Sequence, residues 1–420
     1  MNGDQPDDLS GLSRRRFLQA SAFAGFAAFL AACGASGSSQ PAPTTSIPTP
    51  PPSSPTPAAS PTPLPKPTGP LQFANWEAYI DLTGKAYDEG KYLPGSSPTI
   101  QNFQKKYGVD VNYVEKINAN EEFYALIQPQ LATNLPTGWD LIVVTDWMAA
   151  RIISKGWAEK LDPGDVPNCV KNLRDPLRNQ SWDAGNEYHY PWQSGMTGIG
   201  YDSKALSTAG KAAPKSLKDL YALPANKITF LTESRDTFGL GLLKLGKNAD
   251  PATTTPDDLQ AVHDDLKPIV DAGARFTGNE YLQDFSFKKV WAAMVWSGDL
   301  ASSAEPTQIF VYPEEGTMIW TDNMLIPKGA VNKYTAELMM NYVYDPQVAA
   351  QIENYVYYVC PVSGVEDLIK QLNASAPLDD YHLGLLFPTP EIVAKQHNFQ
   401  FLNPDAEAKL KELYLDLAGN

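Results

Sequence analysis

Residues 319–323, Ile-Trp-Thr-Asp-Asn, place a tryptophan two positions before a carboxylate. Side chains of an extended segment alternate between faces, so Trp320 and Asp322 share one side if this stretch is a strand. A ring face and a carboxylate attract the same kind of group, a cation, and an alkylammonium suits both. The bland alternative is a half-buried tryptophan beside a solvated aspartate. Aromatic, acidic and hydroxyl residues keep similar company elsewhere: Trp76 with Tyr79, Thr145 with Asp146 and Trp147, Glu233 with Asp236, and Trp296. Thr145 or Asp146 could equally cap a helix, and Asp236 could favour a helix dipole.

Other chemistries lack their residues. No Gly-x-Ser-x-Gly elbow supports an esterase-type nucleophile. His189, His263, His382 and His397 are scattered, without metal-ligand spacing. Residues 241–248 nearly match a phosphate-binding loop, but Asn248 stands where Ser or Thr would hold magnesium, and the interior is apolar. No catalytic residue, cofactor or metal is expected. The 33 Lys and Arg against 48 Asp and Glu, a formal charge of −15, argue against a nucleic-acid partner and are compatible with a cationic ligand.

The elements that must position these residues alternate. Residues 71–76 read as a strand, 98–108 as a helix closed by Gly108, and 109–115 as a strand. A helix opens at Asn120, the apolar run 139–144 reads as a strand buried on both faces, and 147–156 as a helix. A second stretch repeats the style, with strands at 227–231 and 292–298 and helices at 237–246, 257–273 and 334–344. This order predicts an α/β fold with mostly parallel sheets. Ligands of open α/β sheets bind beyond the carboxyl ends of the strands, where the aromatic and acidic residues collect.

The chain ends add an address. Ser13-Arg14-Arg15-Arg16-Phe17-Leu18 resembles a twin-arginine export motif, an apolar run follows over residues 20–32, and Leu30-Ala31-Ala32-Cys33-Gly34 resembles a lipobox. Residues 1–33 thus read as a lipoprotein signal peptide with lipidation at Cys33. Residues 34–70, rich in Pro, Ser and Thr, read as a disordered tether. Cys169 and Cys360 remain, and whether they pair stays open.

The chain resembles the spermidine/putrescine-binding proteins of polyamine ABC importers over residues 71–403. The landmarks are Asn75–Tyr79 (NWEAY), 139–147 (WDLIVVTDW), 188–201 (YHYPWQSGMTGIGY), 231–238 (LTESRDTF), 294–299 (MVWSGD), 318–327 (MIWTDNMLIP) and 358–362 (YVCPV). The resemblance implies a two-lobed periplasmic-binding-protein-like fold of type II with a hinge between the lobes. One lobe would comprise residues 71–196 plus 322–361, the other 197–321 plus 362–420. Aromatic rings would line the methylenes of a polyamine at Trp76, Tyr79, Trp147, Trp296, Trp320 and Tyr358. Glu233, Asp236 and Asp322 would hold its ammonium groups, with Thr145 and Gln400 as polar neighbours. The segment between Tyr79 and Phe103 is longer than the family pattern. Trp147 stands in place of Tyr, Asp146 is an extra acid, and the 231–238 motif is one residue short. Arg235, between two acids, would lower the amine-binding capacity if it neutralised one. The implied protein is a monomeric, non-catalytic receptor, lipid-anchored on the outer face of the cytoplasmic membrane, that serves a membrane permease. A receptor for another organic cation or solute is the alternative, and a secreted enzyme a more distant one.

Overall fold

The computed structural model describes residues 65–419 apart from 85–86, 89–90, 94 and 303–304. The expected signal peptide, Cys33 and the tether up to residue 64 lie outside the described residues.

The strands are β1 (Leu71–Trp76), β2 (Tyr87–Asp88), β3 (Lys91–Tyr92), β4 (Val111–Ile117), β5 (Leu141–Thr145), β6 (His189–Asp202), β7 (Ile228–Leu231), β8 (Arg275–Thr277), β9 (Ala292–Trp296), β10 (Gln308–Val311), β11 (Thr317–Leu325) and β12 (Gln396–His397). Ten of them make one continuous sheet in the order β4-β1-β5-β11-β6-β9-β7-β8, with β10 on β6 and β12 on β11. β2 and β3 form a separate antiparallel pair.

Each half of the sheet has a parallel core. β1 pairs in parallel with β4 and β5 in the first lobe, and β7 with β8 and β9 in the second. The centre differs from the mostly parallel expectation. β11 and β6 run antiparallel to each other, β11 also to β5 and β6 also to β9. These two strands carry the chain between the lobes. β6 is buried along all 14 residues, which its position between two sheet halves requires. The β6–β11 register shifts between Asp322 and Asn323.

Helices cover both faces, as parallel cores require. The helix Pro98–Tyr107 starts where the Ser97 side chain accepts from the Ile100 N–H and stops at Gly108, φ 65°. Asn120–Ala132 and Asp146–Ser154 follow β4 and β5. In the second lobe Ser234–Lys244 follows β7, Thr255 starts Pro256–Asp271 with a capping box, and Pro404–Ala418 packs on both helices. The last return between lobes is gradual. Glu366–Leu372 still packs on the first-lobe helix Pro346–Val356, whereas Asp380–Leu386 packs on Ser297–Ala301 of the second.

Cys169 and Cys360 are both free and buried, their thiols turned to the carbonyls of Met340 and Val362. Residues 241–248 hold the end of the Ser234–Lys244 helix and the turn after it, and Gly241 faces Val262 on the neighbouring helix. That glycine serves helix packing.

Candidate ligand cleft

Trp76, Thr145 and Trp296 are the last residues of β1, β5 and β9, and Glu233 follows β7 by two residues. Topology alone therefore brings them to the carboxyl edge of both half-sheets. A cleft of about 670 Å³ opens there. It is lined by Trp76, Tyr79, Thr145, Trp147, Glu233, Asp236, Trp296, Trp320, Asp322, Tyr358 and Gln400, the residues that the resemblance places around a ligand. Glu77, Ala78, Arg235, Asn279 and Asp299 complete the lining. None of the histidines lines it. Among the described residues no cluster of His, Cys, Asp or Glu is suited to a metal ion.

The carboxyl groups are held from behind, one network in each lobe. Asn120 Nδ2 donates to Thr145 Oγ1 at 2.8 Å, and Thr145 Oγ1 donates to Asp322 Oδ1 at 2.8 Å. The Thr145 hydroxyl makes no cap bond to the helix that follows it. In the second lobe Trp320 Nε1 donates to Thr197 Oγ1 (3.1 Å), and Thr197 Oγ1 donates to Asp236 Oδ2 (2.9 Å). Asp236 Oδ2 also accepts from Trp296 Nε1 at 3.0 Å. Asp236 is fixed through one oxygen, and Asp322 is held by the Thr145 hydroxyl with the Tyr79 hydroxyl also against it. A third carboxyl, Asp299, is gripped by Tyr281 (2.6 Å) and Tyr358 (3.1 Å).

The rings are fixed with equal care. Trp76 Nε1 donates to the Val143 carbonyl at 2.9 Å. Tyr358 sits edge-on to Tyr79 at 5.3 Å between centroids and tilted against Trp320 at 5.5 Å. Two glycines make room. A Cβ at Gly195, which pairs with Trp320 across β6 and β11, would lie 2.2 Å from that indole; one at Gly298 would lie 2.5 Å from the Tyr358 ring.

The electrostatics are those of crowded acids behind hydrophobic walls. Burial pushes Asp322 up to about 7, against the lowering effect of the Thr145 and Tyr79 hydroxyls. Burial and then the Asp236 charge push Glu233 to about 7. Burial takes Asp236 to about 6 and Asp146 to about 8. Asp146 stands just behind the lining, where Asn398 donates to it at 3.2 Å. A cation in the cleft would favour their charged forms. Arg235 does not form an ion pair with either neighbouring acid: Nε donates to the Gln400 carbonyl at 3.2 Å and Nη2 to Glu407 at 2.7 and 2.5 Å. It moderates Glu233 and Asp236 only through its field.

Residues 99–375 match the pattern of the family described as bacterial extracellular solute-binding protein. The chain belongs to that family. Among proteins similar to this solute-binding protein is the spermidine/putrescine-binding periplasmic protein of Salmonella typhimurium, 28% identical over 297 residues, 69% of this chain and 77% of that one. The putrescine-binding periplasmic protein PotF of Escherichia coli is 28% identical over 307 residues, 69% of this chain and 76% of that one. The solved spermidine/putrescine ABC transporter substrate-binding protein PotD of Streptococcus pneumoniae superposes with a TM-score of 0.65 at 23% identity, covering 83% of this chain and 98% of that one. That likeness establishes the two-lobed fold. No helix of the described residues is long and apolar enough to cross a membrane.

Sequence reasoning passed over Thr197, Asn120, Asp299 and Asn279. Asp299 had a local signal, three residues after Trp296 at the start of a helix. Thr197 and Asn120 had none, because their partners lie far off in sequence.

Proposed function

We propose that this solute-binding protein is a non-catalytic receptor for a polyamine of the putrescine or spermidine class, which it delivers to the permease of an ABC importer. One observation carries the reading. The cleft joins carboxyl groups from both lobes, Asp322 on one side and Glu233, Asp236 and Asp299 on the other, to the rings of Trp76, Tyr79, Trp147, Trp296, Trp320 and Tyr358. An alkyl polyamine has charged ends and an apolar middle, and it needs that combination. Rings cover the methylenes and contribute cation–π attraction, while carboxylates take the ammonium groups. Thr145 holds Asp322 in place, and Gln400 offers a polar contact. The names of the relatives agree with this ligand class.

The receptor acts as a monomer, tethered outside the cytoplasmic membrane by a lipid on Cys33 after twin-arginine export. Its lobes divide as 71–196 plus 322–361 and 197–321 plus 362–420, with the helix Glu366–Leu372 of the last segment still resting on the first lobe. Replacing Cys33 with Ala should move the protein from the membrane to the soluble fraction.

The deciding experiment is a thermal-shift panel of the folded part against diamines, triamines, choline, betaine, amino acids and sugars. A ligand of the native state raises stability by RT ln(1 + [L]/Kd), so polyamines should give a dose-dependent rise that the other solutes do not. A rise with choline or betaine and none with diamines would replace the polyamine by another organic cation.

A further inference from the structure

Four residues outside the carboxyl cluster connect the lobes. Trp147 and Arg151 lie on the first-lobe helix Asp146–Ser154, Arg235 on the second-lobe helix Ser234–Lys244, and Glu407 on Pro404–Ala418. The Arg235 guanidinium lies 3.8 Å from the centroid of the Trp147 ring, and that of Arg151 lies 4.8 Å from the same ring. Glu407 receives Arg235 Nη2 and stands 3.5 Å from Arg151 Nη2. Arg151 is steadied on its own lobe by Glu121 at 2.8 Å. One carboxylate of the second lobe thus stands between guanidinium groups of both lobes. One indole of the first lobe is covered by a guanidinium of the second.

We propose that Arg235, Trp147, Glu407 and Arg151 form a clasp across the cleft that sets how long the ligand is retained. The Arg235–Glu407 pair is internal to the second lobe and survives opening. The Trp147–Arg235 stacking and the Arg151–Glu407 pair exist only when the lobes meet, so their free energy belongs to the closed state alone. The ligand-free protein exchanges between a parted and a clasped form, and ligand enters the parted one. Escape requires the clasp to break. The dissociation rate therefore carries most of its effect, and the association rate little. The two contacts also differ in character. The Arg235 side chain is 8% exposed, and its stacking is little screened, whereas Arg151 and Glu407 are 26% and 34% exposed and answer to salt.

The inference uses the amine reading only to choose a reporter ligand. Arg151→Met and Glu407→Gln, neither at a residue that lines the cleft, are compared with their double variant. Stopped-flow dissociation of putrescine should accelerate about two- to five-fold in each single variant, the range expected for a partly exposed pair. The double variant should fall short of the product of the two single effects, since both changes remove the shared Arg151–Glu407 contact. Association should stay within about two-fold, and high salt should speed release from the wild type more than from the double variant. Scattering of the ligand-free proteins should give a larger radius of gyration for the variants. Dissociation rates and ligand-free radii that both match the wild type would overturn the clasp. If putrescine binds none of the proteins, the amine reading falls, and the ligand-free radii still decide: equal values sink the clasp, and larger ones in the variants uphold it.

Discussion

Asp322 shows what burial does to a carboxyl that lines the cleft. It is 5% exposed, receives the Thr145 hydroxyl, and feels Asp236 across the cleft. Asp322→Asn keeps the shape and can still accept from Thr145, but removes the charge an ammonium would meet. Losing such a partner costs about 2–5 kcal/mol, or roughly 30-fold to several-thousand-fold in affinity. Melting temperature should not fall, because the folded protein sheds a carboxylate that it desolvates. Calorimetric titration with parallel melting curves checks both, and affinity retained within about three-fold would return Trp320 and Asp322 to a structural role. The raised values also fix a pH dependence. At neutral pH the empty site holds protons on part of Asp322, Glu233 and Asp236, near 7, 7 and 6, which a bound cation must displace. Affinity should therefore fall as pH falls, by roughly 30-fold between pH 8 and 5.5 for each proton displaced from a group near 7. The same groups hold more protons folded than unfolded. Their contribution to ligand-free stability is greatest below the ordinary carboxylate range, and is lost as pH rises through 6 to 7. Titrations at several pH values, in buffers of different ionisation enthalpy, would show proton release. A pH-independent affinity would mean the carboxyls are ionised already, or are not in contact with the ligand.

At the scale of elements, the sequence is legible where one period dominates. β5 and β9 are apolar runs with a ring or hydroxyl residue at the carboxyl end, and their ends form the site. β6 is harder to read, although it is the longest strand. It contains Pro191, Gly195, Gly198 and Gly200, residue types that argue against a central strand. The structure supplies the reason for the glycines: Trp320, Phe310 and Leu300 lie where their side chains would be. Small residues in β6 are thus the counterpart of large rings brought over from distant segments, and neither half explains itself alone. Gly195→Ala tests this directly. The Cβ must displace the Trp320 indole or bend β6, and such overpacking costs about 1–3 kcal/mol. Both melting temperature and amine affinity should drop. Gly384→Ala, at a helical position where a Cβ meets nothing within 4 Å, should be neutral or slightly stabilising. Equal behaviour of the two variants would show that the Trp320 ring does not depend on Gly195.

At the scale of the whole molecule, both halves of the sheet contribute to the cleft. Asp322 and Thr145 belong to β11 and β5, beside the first parallel core, whereas Asp236 and Trp296 are carried by elements of the second. Carboxyl groups and rings thus face the cleft from both lobes. The connections allow movement, since β6 and β11 cross between the halves. Bending these strands leaves the parallel cores intact. A ligand that contacts both lobes shifts the population toward closure in proportion to its differential affinity for the closed form. Saturating diamine should therefore reduce the radius of gyration seen by small-angle scattering. Asp236→Asn removes a charge from one side only, so that variant should bind more weakly and, even when saturated, close less fully. A wild-type radius unchanged by ligand would mean a preformed pocket. An Asp236→Asn protein that closes as far as the wild type would mean that ring contacts alone drive the motion, and that the carboxyls serve selection.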